Sequence, residues 1–448
     1  MYGSSGFKGT FKYWSPHQIS SLLVLLCTSM LASCAVMIKT STPTTASLFG
    51  PHIDFATGTN PSSVAIADIN GDGKPDLIVT NANDKSVSIL MNTTAPGAIR
   101  PSFAPQRTFA TGSDPCSVAV ADVNGDGKPD LIVGNAGDGT ISVLLNTTEP
   151  RVATPSFAAQ QTFTAGNDRC PILAEDMNDD DKPDIIVVND DDVINHNGLV
   201  SVLLNEITPG AMILRANSFT TLQSFRVGNQ PSSLAVADIN GDGKPDLIVA
   251  NSNSSTVSML LNTTASGAIT SSFAPQQSFQ AGMCPVGLTS TDLNDDGKPD
   301  LIVINCSTNS IYALVNTTVR GAATSSFSTY RTYSAGIGPI SIAAADLNGD
   351  DKPDLIVVNH NSNNVSVFLN TTPRGAATPT FAVPLNFATG DNPQAIITAD
   401  INNDGKPDLI VANWNGKSVS VLLNTYDILN APHAKVATAQ IGVMPSVH

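Results

Sequence analysis

Asp68, Asn70, Asp72 and Asp76 stand at positions 1, 3, 5 and 9 of the stretch Asp-x-Asn-x-Asp-Gly-x-x-Asp, and the Lys74 carbonyl at position 7 offers a further oxygen. The set returns six times: Asp122, Asn124, Asp126, Lys128 and Asp130; Asp176, Asn178, Asp180, Lys182 and Asp184; Asp238, Asn240, Asp242, Lys244 and Asp246; Asp292, Asn294, Asp296, Lys298 and Asp300; Asp346, Asn348, Asp350, Lys352 and Asp354; Asp400, Asn402, Asp404, Lys406 and Asp408. Asp and Asn also populate ordinary β-turns, and one copy would not separate turn from metal site. Seven copies with every ligand position filled favour the metal. Three carboxylates in nine residues repel one another unless a cation lies between them, and the seven loops hold 21 of the 38 acidic residues. An all-oxygen set without Cys or His suits calcium better than zinc, and its looseness suits calcium better than magnesium. Position 6 is Gly73, Gly127, Gly243, Gly297 and Gly405, as a left-handed turn prefers, but Asp181 and Asp351 elsewhere, so the third and sixth sites are expected to be weaker. No Glu follows at position 12, where the chain already runs through Leu-Ile-Val; the motif predicts a strand–loop–strand hairpin, not an EF-hand. About seven structural Ca2+ ions are expected.

The elements that hold these loops follow from their spacing. Successive first aspartates are 54, 54, 62, 54, 54 and 54 residues apart, so one unit recurs and the third carries eight extra residues, assigned to the loop Asp190–Gly198. Each unit has four short apolar runs separated by turn residues, in the first "SVAIADI", "DLIVTN", "SVSILMN" and "SFAPQRTF". Four strands per unit predict a propeller blade, and the expected fold is an all-β, seven-bladed propeller of four-stranded antiparallel blades. An aromatic pair six residues apart closes each of the first six repeats, from Phe103/Phe109 to Phe381/Phe387, whereas the seventh lacks one and Phe49/Phe55 precedes the first. The N-terminal strand is therefore expected to complete the last blade, as a closed ring requires and an open solenoid does not.

The calcium loops and repeat length resemble the FG-GAP/VCBS repeats of the integrin α-subunit propeller and of many exported bacterial proteins, over about Phe49 to Thr425. The resemblance implies calcium hairpins on one face and ligand recognition on the other. It fixes no ligand, since that scaffold serves adhesion receptors, lectins and accessory domains of polysaccharide-degrading enzymes.

Lys and Arg number 22 against 38 Asp and Glu, a net charge of −16 that argues against a nucleic-acid partner, and six scattered histidines leave little for a histidine-dependent catalytic centre. Before Cys34 the chain has Lys8, Lys12 and the apolar run "ISSLLVLLCTSMLAS" with no acid, the order of an export signal. Leu31-Ala32-Ser33-Cys34 resembles a lipobox that would leave Cys34 lipidated; ordinary cleavage and an uncleaved anchor are the competing readings. The expected organisation is a lipoprotein-type signal at 1–33, a linker at 34–48, the propeller at 49–425 and a tail at 426–448, outside the cytoplasm.

Cys284 and Cys306 flank the first hairpin of the fifth repeat and are expected to face each other as a disulfide, and Cys116 and Cys170 occupy equivalent places in neighbouring repeats, suited to an inter-blade bridge; four free thiols are the alternative. A recurring Asn ends each second strand, from Asn81 to Asn413, and is read as structural. Beside it the copies diverge. Trp414, His360 and, in the inserted loop, His196 are the candidate ligand-binding residues, Trp414 either stacking on a ligand or simply covering a blade edge. The Asn-Thr-Thr triplets, such as that at Asn92, fit the glycosylation pattern but are read as polar strand ends. The expected function is surface recognition or adhesion through a protein or glycan ligand, without catalysis; a lectin or a polysaccharide-active enzyme is the alternative.

Overall fold

The computed structural model describes residues 47–166, 171–190, 198–328 and 331–426. Among them, 28 strands form seven four-stranded antiparallel sheets. Blade one runs inside to outside as Pro61–Ala67, Asp76–Asn81, Ser86–Leu90 and Arg107–Ala110. Its second strand, Asp76-Leu-Ile-Val-Thr-Asn81, is buried throughout, because neighbouring blades cover both faces of the sheet and a β-branched run suits such a place. Four of the seven outer strands alternate between half-buried and exposed, as strands with one wet face do. Six of the seven first hairpins carry a register shift beside their opening proline, as between Pro61 and Ser63 opposite Asn81 and Thr80, and that of blade three runs in regular register.

Ring closure follows the expected route. Ile53–Ala56 pairs with Ser418–Leu422, so blade seven takes its outer strand from the start of the chain and its other three from Pro393–Ala399, Asp408–Asn413 and Ser418–Leu422. The inner strands of blades seven and one are neighbours like every other successive pair. The paired aromatics do not stack within their own repeat. Phe55 meets Phe103 edge-to-face at 4.8 Å, Phe109 meets Phe157 at 4.9 Å, and Phe49 meets Phe387 at 5.1 Å, so each aromatic reaches into an adjacent blade and the contacts run round all seven interfaces.

The third repeat differs from expectation. Its extra residues are not confined to Asp190–Gly198: Asp184 to Asn205 spans 21 residues where Asp76 to Asn92 spans 16, and Asn205 bridges Phe219, 14 residues on, where Asn92 bridges Phe103, 11 on. Five residues thus lengthen the second hairpin and three the connector to the outer strand. Both additions fall where the sheet ends and ladder bonding imposes no register.

Candidate metal and ligand sites

All seven Asp-rich loops join the first and second strands at one end of the ring. Asp68 accepts hydrogen bonds from Asp72 N–H through Oδ1 (3.0 Å) and from Gly73 N–H through Oδ2 (2.7 Å), and Asp72 Oδ1 accepts from Lys74 N–H (3.0 Å). Position 6 takes a left-handed backbone in every copy, Gly73 at φ 86° and the substituted Asp181 and Asp351 at 63° and 64°.

Position 9 is where sequence reasoning falls short. Asp76, Asp130, Asp184, Asp246, Asp300, Asp354 and Asp408 are all fully buried. Asp76 Oδ2 accepts from Ile69 N–H (3.0 Å) inside the loop and Oδ1 from Asn92 N–H (2.7 Å) at the end of the third strand, so one carboxylate joins loop, hairpin and connector. Burial pushes the Asp76 carboxyl up to about 7, opposed by its two backbone hydrogen bonds and reinforced by Asp72 and Asp68. The other six behave alike, Asp408 rising to about 8.

The connector asparagines tie adjacent blades together, which the triplet reading missed. Asn92 is buried and its Nδ2 donates to Ile401 O (2.9 Å) in the loop of the preceding blade, and Asn146, Asn205, Asn262, Asn316, Asn370 and Asn424 repeat this. The signal was present: an Asn recurs at this place in all seven repeats, including Asn205 and Asn424, which no Thr-Thr follows.

The donor set fits a hard cation in kind: carboxylates, amide oxygens and a backbone carbonyl. Asn178, Asn294 and Asn402, at position 3 of their loops, each keep a buried Oδ1 without a hydrogen-bond partner. Among the described residues, however, no three His, Cys, Asp or Glu side chains converge as a metal group, since the loop carboxylates turn onto backbone amides.

At the opposite end of the ring, the His360 ring of blade six and the Trp414 backbone of blade seven both meet Asn392. His360 Nε2 lies 2.8 Å from Asn392 Nδ2 and Nδ1 lies 3.2 Å from Gln394 Nε2, while Trp414 N–H donates to Asn392 O (2.9 Å). Both residues are half-buried. The strand-end asparagines are structural, as expected: Asn81 Nδ2 bonds Ser88 Oγ (2.8 Å) on the next strand. His196, Cys170 and Cys34 lie outside the described residues. Cys116 is disulfide-bonded. The expected Cys284–Cys306 disulfide is corrected: the residues do meet, with Cys306 N–H donating to Cys284 O (3.1 Å), but both are free thiols. Burial and the thiol–thiol hydrogen bond push Cys306 up to about 11, which favours the protonated form. An open cleft of about 460 Å³, lined by Glu206, Met212, Ile213, Arg215 and Asn217, lies in the lengthened connector of blade three, which sequence reasoning left unexamined.

FG-GAP-like repeats match residues 40–79, 68–133, 122–187, 176–249, 292–357 and 346–411, and an FG-GAP repeat matches 231–271. No curated protein matches by sequence. Among solved structures, BBS1N in complex with ARL6DN, soaked with lead, is 12% identical with a TM-score of 0.51 over 87% of this chain and 99% of that one. A catalytically inactive virginiamycin B lyase from Staphylococcus aureus with quinupristin is 11% identical with a TM-score of 0.50 over 84% and 99%. At such identities the likeness is one of fold. With repeat matches along most of the chain on a seven-bladed ring, this protein belongs to the FG-GAP repeat family.

Proposed function

We propose that the chain is an exported, calcium-stabilised recognition module that binds a protein or glycan ligand at the surface and performs no chemistry on it. The observation that carries the reading is the His360–Asn392–Trp414 group, in which the one tryptophan of the propeller, through its backbone N–H, and the His360 ring both meet Asn392 on the face away from the acidic loops. An aromatic ring beside side-chain amides suits the apolar face and hydroxyls of a sugar, or an anchor residue of a protein.

Calcium would be held in each loop by the side chains at positions 1, 3, 5 and 9 and the position-7 carbonyl. It would supply the positive charge that the loop carboxylates lack and tie the first two strands together. The unpartnered oxygens of Asn178, Asn294 and Asn402 support this.

The test has two arms. Elemental analysis of the purified protein should approach seven calcium ions, and chelator should lower its melting temperature by well over about 2 °C, the order expected of 1 kcal/mol in a ring of this size. A glycan array, with a surface-protein pull-down beside it, should give binding that Trp414→Ala and His360→Ala each reduce about tenfold or more while the calcium count stays unchanged. Binding indifferent to both substitutions would remove the ligand face; an absence of metal would remove the calcium role alone.

A further inference from the structure

Sister copies of each blade show where blade five departs from the common pattern. At the end of the ring away from the acidic loops, two residues face each other: the one before the opening proline of the first strand and the one after the strand-end asparagine. One backbone hydrogen bond joins them. Ala82 N–H donates to Asn60 O (3.0 Å), Ala136 N–H to Asp114 O (3.0 Å), Ser252 N–H to Gln230 O (2.8 Å), His360 N–H to Gly338 O (2.9 Å) and Trp414 N–H to Asn392 O (2.9 Å). In blade five the pair is Cys284 and Cys306, held by the same bond (3.1 Å), their free thiols hydrogen-bonded to each other. The first member of each of these six pairs is left-handed, from φ 52° at Asp114 to 67° at Gly338. Glycine, asparagine and aspartate take that backbone readily; Cys284, at 58°, does not, and such an outlier directs attention to function.

Two further departures adjoin the thiols. Met283, next to Cys284, is 63% exposed and brings a thioether to the turn, where the equivalent residues are Thr59, Ser113, Asn229, Ile337 and Asp391. Asn305, next to Cys306, is fully buried, and neither its Oδ1 nor its Nδ2 has a hydrogen-bond partner. Elsewhere this asparagine donates to a serine of the third strand, as Asn81 does to Ser88 (2.8 Å) and Asn413 to Ser420 (2.8 Å). In blade five Tyr312 stands opposite Val303 where Ser88 stands opposite Val79, so the serine is gone. The idle amide lies against the turn that carries Met283 and Cys284, since a Cβ on Gly282 would fall 2.6 Å from Asn305 Oδ1.

We propose that Cys284 and Cys306 bind a soft monovalent metal ion, Cu(I) by its chemistry, between their two sulfurs, with the Met283 thioether as third ligand and the Asn305 amide donating to a thiolate. Thiolates and thioethers select Cu(I), whereas the carboxylates and carbonyls at the other end of the ring suit calcium. Ligand number decides against zinc, which takes four ligands in a structural site: among the described residues no third His, Cys, Asp or Glu converges on the pair. Metal–thiolate bonds are about 2.3 Å long, so an ion seated between two hydrogen-bonded sulfurs asks for only small side-chain rotations. Binding releases both thiol protons to water and changes no oxidation state. The buried amide then gains an acceptor that it lacks in the free protein. The site depends neither on calcium nor on the His360–Asn392–Trp414 group.

Titration of the full chain with Cu(I), kept reduced by ascorbate under argon and competed against the coloured chelator bicinchoninate, tests it. The unaltered chain should hold one ion more than a Cys284→Ser, Cys306→Ser double variant, a difference from which cysteines elsewhere in the chain cancel. Met283→Leu keeps the bulk, removes the sulfur at an exposed position, and should weaken binding roughly tenfold. Melting temperatures without copper check that the variants fold, and added Cu(I) should raise the value of the unaltered chain and leave that of the double variant where it was. Equal copper retention by the unaltered chain and the double variant overturns the proposal, and binding indifferent to Met283→Leu overturns the three-sulfur site. So does zinc that displaces the copper, or recovery of Cys284 and Cys306 as a disulfide when the unreduced protein is alkylated and mapped by mass spectrometry.

Discussion

At the scale of residues, the molecule depends on a few side chains whose placement leaves no room for change. A Cβ on Gly228 would lie 2.6 Å from Asn251 Cγ, and Asn251 is fully buried with its amide on Ser258, so it has nowhere to retreat. Gly228→Ala is expected to cost about 1–3 kcal/mol by overpacking. Gly267→Ala, with open space around it but φ at 66°, is expected to cost about 1 kcal/mol through backbone strain alone. Chemical denaturation of both variants measures the two mechanisms separately; equal costs would mean that the Asn251 contact relaxes. Much at this scale was legible in the sequence. The alternation of loop oxygens and the glycine at position 6 were plain from types and spacing. The burial of Asp76 was not, because a nine-residue motif carries no record that Asn92, sixteen residues on, turns its amide onto that carboxylate. The Cys284–Cys306 encounter was legible and its chemical state was not, since strand pairing sets proximity and leaves the redox form open.

At the scale of elements, the chain closes its ring by a non-local contact, and that contact should be the most consequential one to remove. Phe49 is 2% exposed, bridges Asn424 through the backbone and meets Phe387 edge-to-face, while Ile53–Ala56 supplies the outer strand of blade seven. Phe49→Ala is expected to cost about 3–5 kcal/mol, the usual range for a buried phenylalanine. Phe163→Ala, a partly buried ring within an otherwise continuous stretch of blades, is expected to cost less. Urea midpoints of the two variants test this; a smaller loss at Phe49 would mean that the closure adds little to the ring. This route was readable from the displaced aromatic pair alone, because a pair missing at one end and surplus at the other has few geometric solutions. The partners of those aromatics were not readable, since spacing along a strand reports which side chains share a face and says nothing of the blade that face meets. The division of the eight extra residues between two loops escaped for a similar reason: the motifs that give the period flank both loops together.

At the scale of the whole molecule, seven buried carboxyls set one pH dependence. Asp76 and its six counterparts lie at about 7 or 8 in the folded ring against 3.8 for the ordinary group, so between those values the folded protein holds protons that the unfolded chain has released. The folded state is therefore favoured at the acid end, and this stabilisation is lost as pH rises through the folded values. With chelator present, the melting temperature should fall steadily from about pH 4 to pH 8. Calcium reverses the preference, because it takes the ionised carboxylate and must displace the proton first. The gap between melting temperatures with and without calcium should thus be small near pH 5 and widest near pH 8, where a net charge of −16 is least offset by protonation. A gap that stays constant over this interval would mean that calcium, where it binds, is held by positions 1, 3 and 5 without the buried carboxylate, and position 9 would then be purely the tie between loop, hairpin and connector.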